Sequence, residues 1–561
     1  MSKFALGIDY GTNSARCIVI DLASGKELSA AVYPFTGGNA GVLGDPEDHN
    51  IARQKPAEYL AALRAIMSES IEQAQKTHPD FNAADIISIG VDTTGSTPIP
   101  VAQDCTAVGM LPGFEDNLDA QAWLWKDHSS HAEAAQITEL AAEIRPEYLD
   151  FCGGTYSSEW FFSKIFHCLN VAPEVFEKAF TWMECCDYIP AVLAGIKDAS
   201  QVKRSTCAGG HKAMWSANWS GLPDKEFLSR LNPKLADLRD RLYEQTYSLD
   251  TIAGELCPEW AEATGVPAGT PIAVGMIDAH MGAVGAGAAP GALVKIIGTS
   301  CCDIMIADKS RDFGKIPGLC GIAADSVVPG FWGMEAGQAA IGDLFKWYVD
   351  LLGQGHSHEA LTVEAQKQSP GQSGLIALDW NNGNRSVLMD QQLTGLILGQ
   401  TLHTTAAEIY RALIEATAFG ARKIIDMFDN HGVEITTLIA CGGISHKNPM
   451  LMQIYADITK RKIQVSASEQ SCALGAAIAG TVAVGANAGG FSSVADAQKT
   501  LCPPASKCYE PIAENSAVYD KLYSLFSRIH DSFGAGATDS LSDVMKTLLQ
   551  IKQDAVADNR G

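Results

Sequence analysis

Among the 15 cysteines there is no CxxC pair, so the ligand spacing that marks most structural zinc sites is missing. The cysteine count is odd and includes two adjacent pairs, Cys185 with Cys186 and Cys301 with Cys302. Such a set reads as reduced thiols used as small core residues rather than as a disulfide framework. Basic residues are scarce: 41 Lys and Arg stand against 65 Asp and Glu, a formal net charge of -24. That balance argues against a nucleic-acid partner, whose phosphates need Lys/Arg surfaces, and any phosphate must be met locally by loops. Long apolar runs are lacking too. The start, MSKFALGIDYG, meets Asp9 and Gly11 before any stretch of signal-peptide length. The longest uncharged stretch, Ser471 to Val494, is built from Ala, Gly and Ser, which gain little from lipid. A cytoplasmic location, no membrane partner and a tightly packed helix after Ser471 are the expectations.

What is present is enough chain for several cores. With 561 residues, two or more domains with a cleft between them are expected. Phe4 to Asp21 reads as strand, turn, strand, and the tip Gly11, Thr12, Asn13, Ser14 offers N–H groups and hydroxyls suited to phosphate oxygens. The chain then repeats the device. Leu293 to Ile297 leads to Gly298, Thr299 and Ser300 and a second strand closing on Asp308, as the first closes on Asp21. A helical pattern near 56–76 precedes the strand IISIGVD, and another near 405–430 precedes TLIACGG. Each half is therefore α/β. Gly442 and Gly443 sit between a strand and a helix starting near Pro449, which Asn448 is placed to cap. Between the halves lies GMIDAHMGAVGAG, 275–287, where Asp278 and His280 precede Gly282, Gly285 and Gly287. That glycine run is read as a hinge at the junction of two lobes.

Taken together, a duplicated α/β domain with two phosphate hairpins and a Gly-Gly turn resembles the actin-like (ribonuclease H-like) ATPase fold. The segments GIDYGTNSAR (7–16), GVDTTGSTP (90–98), LWKDH (124–128), YSSEWFFSKI (156–165), CAGGHKAMW (207–215), DAHMGAVGAG (278–287), KIIGTSCCDI (295–304), GMEAGQAAIGD (333–343) and CGGISHKN (441–448) resemble the FGGY carbohydrate kinases. The resemblance extends to about residue 530. Where many members carry an Arg after the Asp of a WxDxR-type motif, this chain reads Trp125, Lys126, Asp127, His128, Ser129, Ser130, which points away from a glycerol substrate and toward the ketopentose branch.

The resemblance implies an N-terminal domain over 1–286 with the sugar and the first phosphate hairpin, a nucleotide-binding C-terminal domain over 287–545, and a tail over 546–561. It implies ATP-dependent, Mg²⁺-requiring phosphorylation of L-ribulose at O5 in arabinose breakdown. Other ketopentoses or pentitols (D-ribulose, xylulose, ribitol) stay open, as does a non-kinase ATPase switch. Asp278 would be the general base and Asp9 would position Mg²⁺. Ser96, Lys212, Asp278 and Glu335 would hold the sugar. Gly11, Thr12, Asn13, Ser14, Arg16, Gly298, Thr299 and Ser300 would clamp phosphate, and Gly442, Gly443 and Asn448 would border adenine and ribose. His280 is read as a neighbour that orients the Asp278 loop or fills the core, and the tryptophans at 123, 125, 160, 182 and 215 as core. The residues after Ser540, with Leu541, Met545 and Leu548, are read either as a homodimer interface helix or as a docked end.

Overall fold

The computed structural model describes residues 3–534, 541 and 543–558. Two seven-stranded sheets carry the fold. The first is built on β1 (Phe4–Tyr10), β2 (Ser14–Asp21), β3 (Glu27–Pro34), β4 (Ile86–Thr93), β5 (Ile252–Glu255), β6 (Pro271–Ala273) and β7 (Met276–Ile277). Its order is β3-β2-β1-β4-β6-β5, with β7 also pairing β4. The second comprises β8 (Ala292–Ile297), β9 (Cys301–Asp308), β10 (Gly321–Ala324), β11 (Phe331–Gln338), β12 (Thr437–Cys441), β13 (Lys462–Val465) and β14 (Lys507–Tyr509), in the order β10-β11-β9-β8-β12-β13-β14. The expected duplication is visible strand by strand. In each sheet an antiparallel hairpin, β1–β2 or β8–β9, is flanked by a further antiparallel strand on one side and a parallel one on the other.

Every residue of β1 is buried, as befits a central strand covered on both faces. One cover is α1 (Pro56–Thr77), which turns Tyr59, Leu63, Ile66 and Met67 inward. The other cover comes from the opposite end of the chain. Helix α6 (Ser471–Val484) follows α2 (Thr206–Lys212), α3 (Asp278–Gly285), α4 (Ala406–Asn430) and α5 (Pro449–Thr459) in sequence, yet it lies on the first sheet. Gly7 and Gly90 are register partners on β1 and β4. A Cβ on Gly7 would fall 1.8 Å from the carbonyl oxygen of Ala473, and one on Gly90 1.7 Å from that of Ala476. The two glycines make a notch in which α6 seats backbone against backbone. A division of the chain at residue 286 thus separates the two sheets but not the layers that cover them.

Of the three glycines after Asp278, Gly287 lies beyond α3 at a φ of 92° with open space where a Cβ would stand, whereas the other two are packing positions. Gly282 and Gly285 lie inside α3, and a Cβ on Gly285 would come 1.9 Å from the Ser471 carbonyl oxygen. Reciprocally, a Cβ on Gly475 would come 1.9 Å from that of Met281. The small residues serve a close crossing of α3 and α6, as small residues do wherever helices approach at backbone distance.

Elsewhere local chemistry agrees with the structure. Thr405 caps α4 in a capping box with Glu408, and the Asn448 side chain accepts from the Leu451 N–H at the start of α5. Between β4 and β5 an aromatic-rich insertion builds its own core around Trp123, Trp160, Phe161 and Trp182. Asp127 is an anchor within it: buried, ion-paired to Arg53 and accepting from the Ala52 N–H at 2.7 Å. The Arg53 guanidinium also lies 3.4 Å over the Trp123 ring. At the C-terminal end a helix spans Val544–Asp558 and so runs across the 545/546 boundary. Met545 is docked in the second core, while Leu541 and Leu548 are exposed.

Gly285→Ala should be among the most damaging single-methyl additions in the chain, because the added carbon meets backbone that cannot rotate away. A loss of about 3 kcal/mol, the upper end for overpacking, is expected, read as a melting temperature lowered by several degrees. A variant melting with the parent would show that α3 and α6 are not held at this spacing.

Candidate active site

Strands β1 and β4 run parallel in register, so their two closing carboxylates, Asp9 and Asp92, stand side by side. Both are buried, at 4% and 0% exposure. Burial pushes the Asp9 carboxyl up, with Arg16 opposing, its Nε 3.4 Å from Oδ2. Asp92 lies well above the usual carboxylate range because burial and the charges of Asp9 and Asp278 all disfavour its ionisation. No N–H or hydroxyl donates to either Asp92 oxygen. Asp92 went unassigned at the level of sequence, although GID and GVD carry the same Gly-x-Asp strand ending two residues past the notch glycine.

One strand further, β7 delivers Asp278 as the first residue of α3. Its carboxylate accepts from the Ala279 N–H at 2.6 Å and is paired with no cation among the described residues. Burial, then the charges of Asp9 and Glu335, raise its pKa to about 7 against the opposing N–H bond. A cavity of ≈170 Å³ opens over it, and Thr12 of the first hairpin and Gly298, Thr299 and Ser300 of the second both line that space. The two hairpins therefore face each other across Asp278. Within the tips, the Gly11 N–H is used by Ser14 O and the Gly298 N–H by Ser300 O. Asn13 donates to Ala40 O, and Arg16 donates to the Ser14 hydroxyl at 3.1 Å while facing Asp9.

Lys212 and Glu335 line the same cavity as an ion pair. Lys212 ends α2 in the first half and Glu335 lies on β11 of the second sheet. The Lys212 ammonium sits 2.8 Å from both carboxylate oxygens. Burial opposes ionisation of Glu335, but the Lys212 ammonium outweighs it and holds the carboxyl well below the usual range. His280 makes no hydrogen bond to Asp278; its Nε2 lies 3.5 Å from Glu335, and burial lowers its pKa to about 4, so it is neutral near pH 7.

Ser96 is placed differently from the expectation. Its hydroxyl donates to Glu184, the Thr97 N–H donates to the same carboxylate at 2.7 Å, and Gly95 rather than Ser96 lines the cavity. Lys164 holds the turn from below, donating to Ser96 O at 2.8 Å and Leu124 O at 2.9 Å; burial draws its pKa down to about 7. Of the tryptophans read as core, Trp125 stands outside the buried clusters, while Trp160 belongs to the insertion's core and also borders a cavity. Trp125 lines the Asp278 cavity and donates to the Thr12 hydroxyl at 3.0 Å, and Trp160 lines a neighbouring cavity of ≈450 Å³. The two cavities share Glu159, Arg385 and Glu335, and Arg385 pairs with Glu159 at 3.1 Å. Glu159 and Lys164 both lie in the YSSEWFFSKI segment, whose resemblance to the family was the available signal for them. Gly442, Gly443 and Asn448 follow β12, apart from the residues lining either cavity. Gly442 takes a φ of 93° against Ile297, whereas Gly443 opens onto free space.

This geometry can be set beside known proteins. Residues 4–285 match the N-terminal domain of the FGGY family of carbohydrate kinases, and residues 293–484 match its C-terminal domain. A ribulokinase of Shouchella clausii is 40% identical, with 99% of each chain covered, and one of Halalkalibacterium halodurans is 39% identical over 98% of each. Among solved structures, a xylulose kinase from Rhodospirillum rubrum superposes with a TM-score of 0.73 at 22% identity, covering 95% of this chain and 99% of that one. A gluconate kinase from Lactobacillus acidophilus gives 0.75 at 19%, covering 96% and 99%. At those identities the structures speak for the fold, a two-domain actin-like ATPase architecture. With both domains matched in order and the hairpins, Asp278 and the Lys212–Glu335 pair gathered on one cleft, the chain belongs to the FGGY family of carbohydrate kinases.

Proposed function

We propose that this enzyme transfers the γ-phosphoryl group of ATP to the O5 hydroxyl of L-ribulose, giving L-ribulose 5-phosphate and ADP, in arabinose use. The observation that carries the reading is Asp278, an unpaired carboxylate titrating near neutrality between two hairpins suited to phosphate and an ion pair suited to sugar hydroxyls. The choice of sugar is supported by the relatives named ribulokinase, which match nearly end to end. Other ketopentoses and pentitols are the competing outcomes.

Phosphoryl transfer demands mainly positioning and charge stabilisation. Asp278 takes the O5 proton as the oxygen attacks the γ-phosphorus, and the bond to the β-phosphate oxygen breaks to release ADP. A base with a pKa of about 7 suits this work near neutral pH. Lys212 and Glu335 present a fixed donor and a fixed acceptor to the sugar, and the turn at Gly95 and Ser96 would contribute backbone groups, the Ser96 hydroxyl being held by Glu184. The free N–H groups at Thr12, Asn13, Thr299 and Ser300 would meet phosphate oxygens, with Arg16 steadying Ser14 and Asp9. Asp9 and Asp92 fit Mg²⁺, being oxygen donors with no N–H or hydroxyl competing at Asp92. When bound, Mg²⁺ neutralises phosphate charge. The end of β12, with Gly442, Gly443 and Asn448, would border the adenosine. Sugar binding that brings the two sides of the cleft together would exclude water and limit ATP hydrolysis.

Asp278→Asn should keep nucleotide binding and lose at least about 10³-fold in kcat, the scale of a lost general base together with its positioning. A phosphorylation screen over ketopentoses and pentitols with ATP and Mg²⁺ should show L-ribulose first, and turnover retained in the variant would remove Asp278 from its role. For the parent, kcat/KM should rise with pH and level off above about 7, as Asp278 gives up its proton. The same group sets a stability prediction. Its folded pKa lies above that of an unfolded Asp, near 3.9, so the native state binds the extra proton between about pH 4 and pH 7, and stability falls as pH rises through that window. At about 1.4 kcal/mol per unit, discounted for the carboxylate's partial exposure, Asp278→Asn should gain about 1–3 kcal/mol at pH 8 and little at pH 4. Melting curves at the two values check it, and a variant less stable than the parent at pH 8 would contradict the unpaired state of the carboxylate.

A further inference from the structure

At the phosphate end of the cleft a sulfur atom stands among the carboxylates. Cys472 is the second residue of α6, and the seating of that helix on Gly7 and Gly90 brings its N-terminal end toward Asp9 and Asp92. A ligand atom from each of Asp9, Asp92 and Cys472 lies within 4.8 Å of the other two. Asp92 is fully buried, no N–H or hydroxyl donates to it, and its one hydrogen-bonding neighbour among the described residues is the Asp9 carboxyl, an acid pair whose repulsion an approaching cation would relieve. Cys472 is partly exposed and lines the ≈170 Å³ cavity, so ions have a route in.

We propose that Asp9, Asp92 and Cys472 form a binding site for a thiophilic divalent cation of the Zn²⁺ or Cd²⁺ kind. The inference rests on the reading of Asp9 as the Mg²⁺ residue only in so far as the two ions would then compete. Mg²⁺ is a hard ion with little use for sulfur, whereas Zn²⁺ and Cd²⁺ bind thiolate strongly. Two carboxylates and one thiol are a poor set for selecting Mg²⁺ alone and an adequate three-ligand set for the softer ions. Closing the ligands to tetrahedral zinc distances asks for a contraction of about 1 Å, within the reach of side-chain rotation. Burial and the charges of Asp9, Asp92 and Asp278 hold the Cys472 thiol well above its ordinary range, so an ion binds the sulfur only by displacing its proton. Arg16, beside Asp9, is the one cation set against it among the described residues near the cluster.

The test uses the full-length chain carrying Cys508→Ser, which removes the exposed thiol, and Cd²⁺ as the probe. Without nucleotide, Cd²⁺ should develop the ultraviolet thiolate-to-metal charge-transfer band and saturate it at one ion per chain. The band should vanish in Cys472→Ser and persist in Cys302→Ser, the other thiol lining the cavity. Asp92→Asn should weaken Cd²⁺ at least about tenfold, with circular dichroism confirming the fold of each variant. Zn²⁺ should inhibit phosphorylation, with a half-inhibiting concentration that rises with Mg²⁺ and is at least about tenfold higher in Cys472→Ser, each variant referred to its own uninhibited rate. A band that survives in Cys472→Ser, or no band in the parent, overturns the proposal. A Cys472-dependent band that Mg²⁺ does not displace upholds the thiophilic site and overturns instead the placement of Mg²⁺ at Asp9.

Discussion

Backbone contact between α6 and the first sheet is the constraint on which the rest depends. With a side chain at either Gly7 or Gly90 the helix would have to lift away from β1 and β4. The same helix is crossed by α3 at a distance only glycine allows, and α3 starts with Asp278. So the position of the proposed base is referred, through two backbone contacts, to the strands that end in Asp9 and Asp92. A cluster of mutually repelling carboxylates is held in place by packing rather than by counter-ions, which small residues at every crossing point make feasible.

The cleft divides its acids into two electrostatic kinds. Glu335 is kept ionised by Lys212, a fixed dipole across the two halves that suits recognition of hydroxyls. Asp9 and Asp92 feel Arg16 and Asp278 feels Lys212, yet burial and mutual repulsion outweigh both cations and raise the proton affinities of all three. Such a trio is unfavourable in the resting protein and is relieved when positive charge and substrate arrive. Activity and resting stability are here opposed at named side chains, the usual trade at a catalytic centre.

Much of this could be read from the chain because the signals were local. Both hairpins, with their tips at 11–14 and 298–300, and the α4 and α5 starts follow from turn chemistry, β-branched runs and caps within a few residues. An isolated Gly reads as flexibility, yet the reason for Gly285 lies in partners nearly two hundred residues later, Ser471 and Gly475, and Gly282 faces the Cys472 sulfur. Ser96 is the same kind of case. Its neighbours Glu184 and Lys164 arrive from the insertion, and no local pattern states which way a hydroxyl turns. Asp127 is likewise tied to Arg53, more than seventy residues earlier in the chain. Long-range pairing is what a single sequence states least clearly, and the cleft is made of it.

The placement of α6 also orders events in time. Strands β1 and β4 emerge first from the ribosome, yet the layer that closes their second face is encoded by 471–484. Until that segment is made, the Gly7–Gly90 notch stays open, with the apolar face around Ile18, Ile20 and Met276 uncovered. The N-terminal half is therefore a folding debtor for most of synthesis. Its completion waits on the far end of the chain, and an mRNA truncated before codon 484 would yield an exposed sheet rather than a free-standing sugar-binding domain.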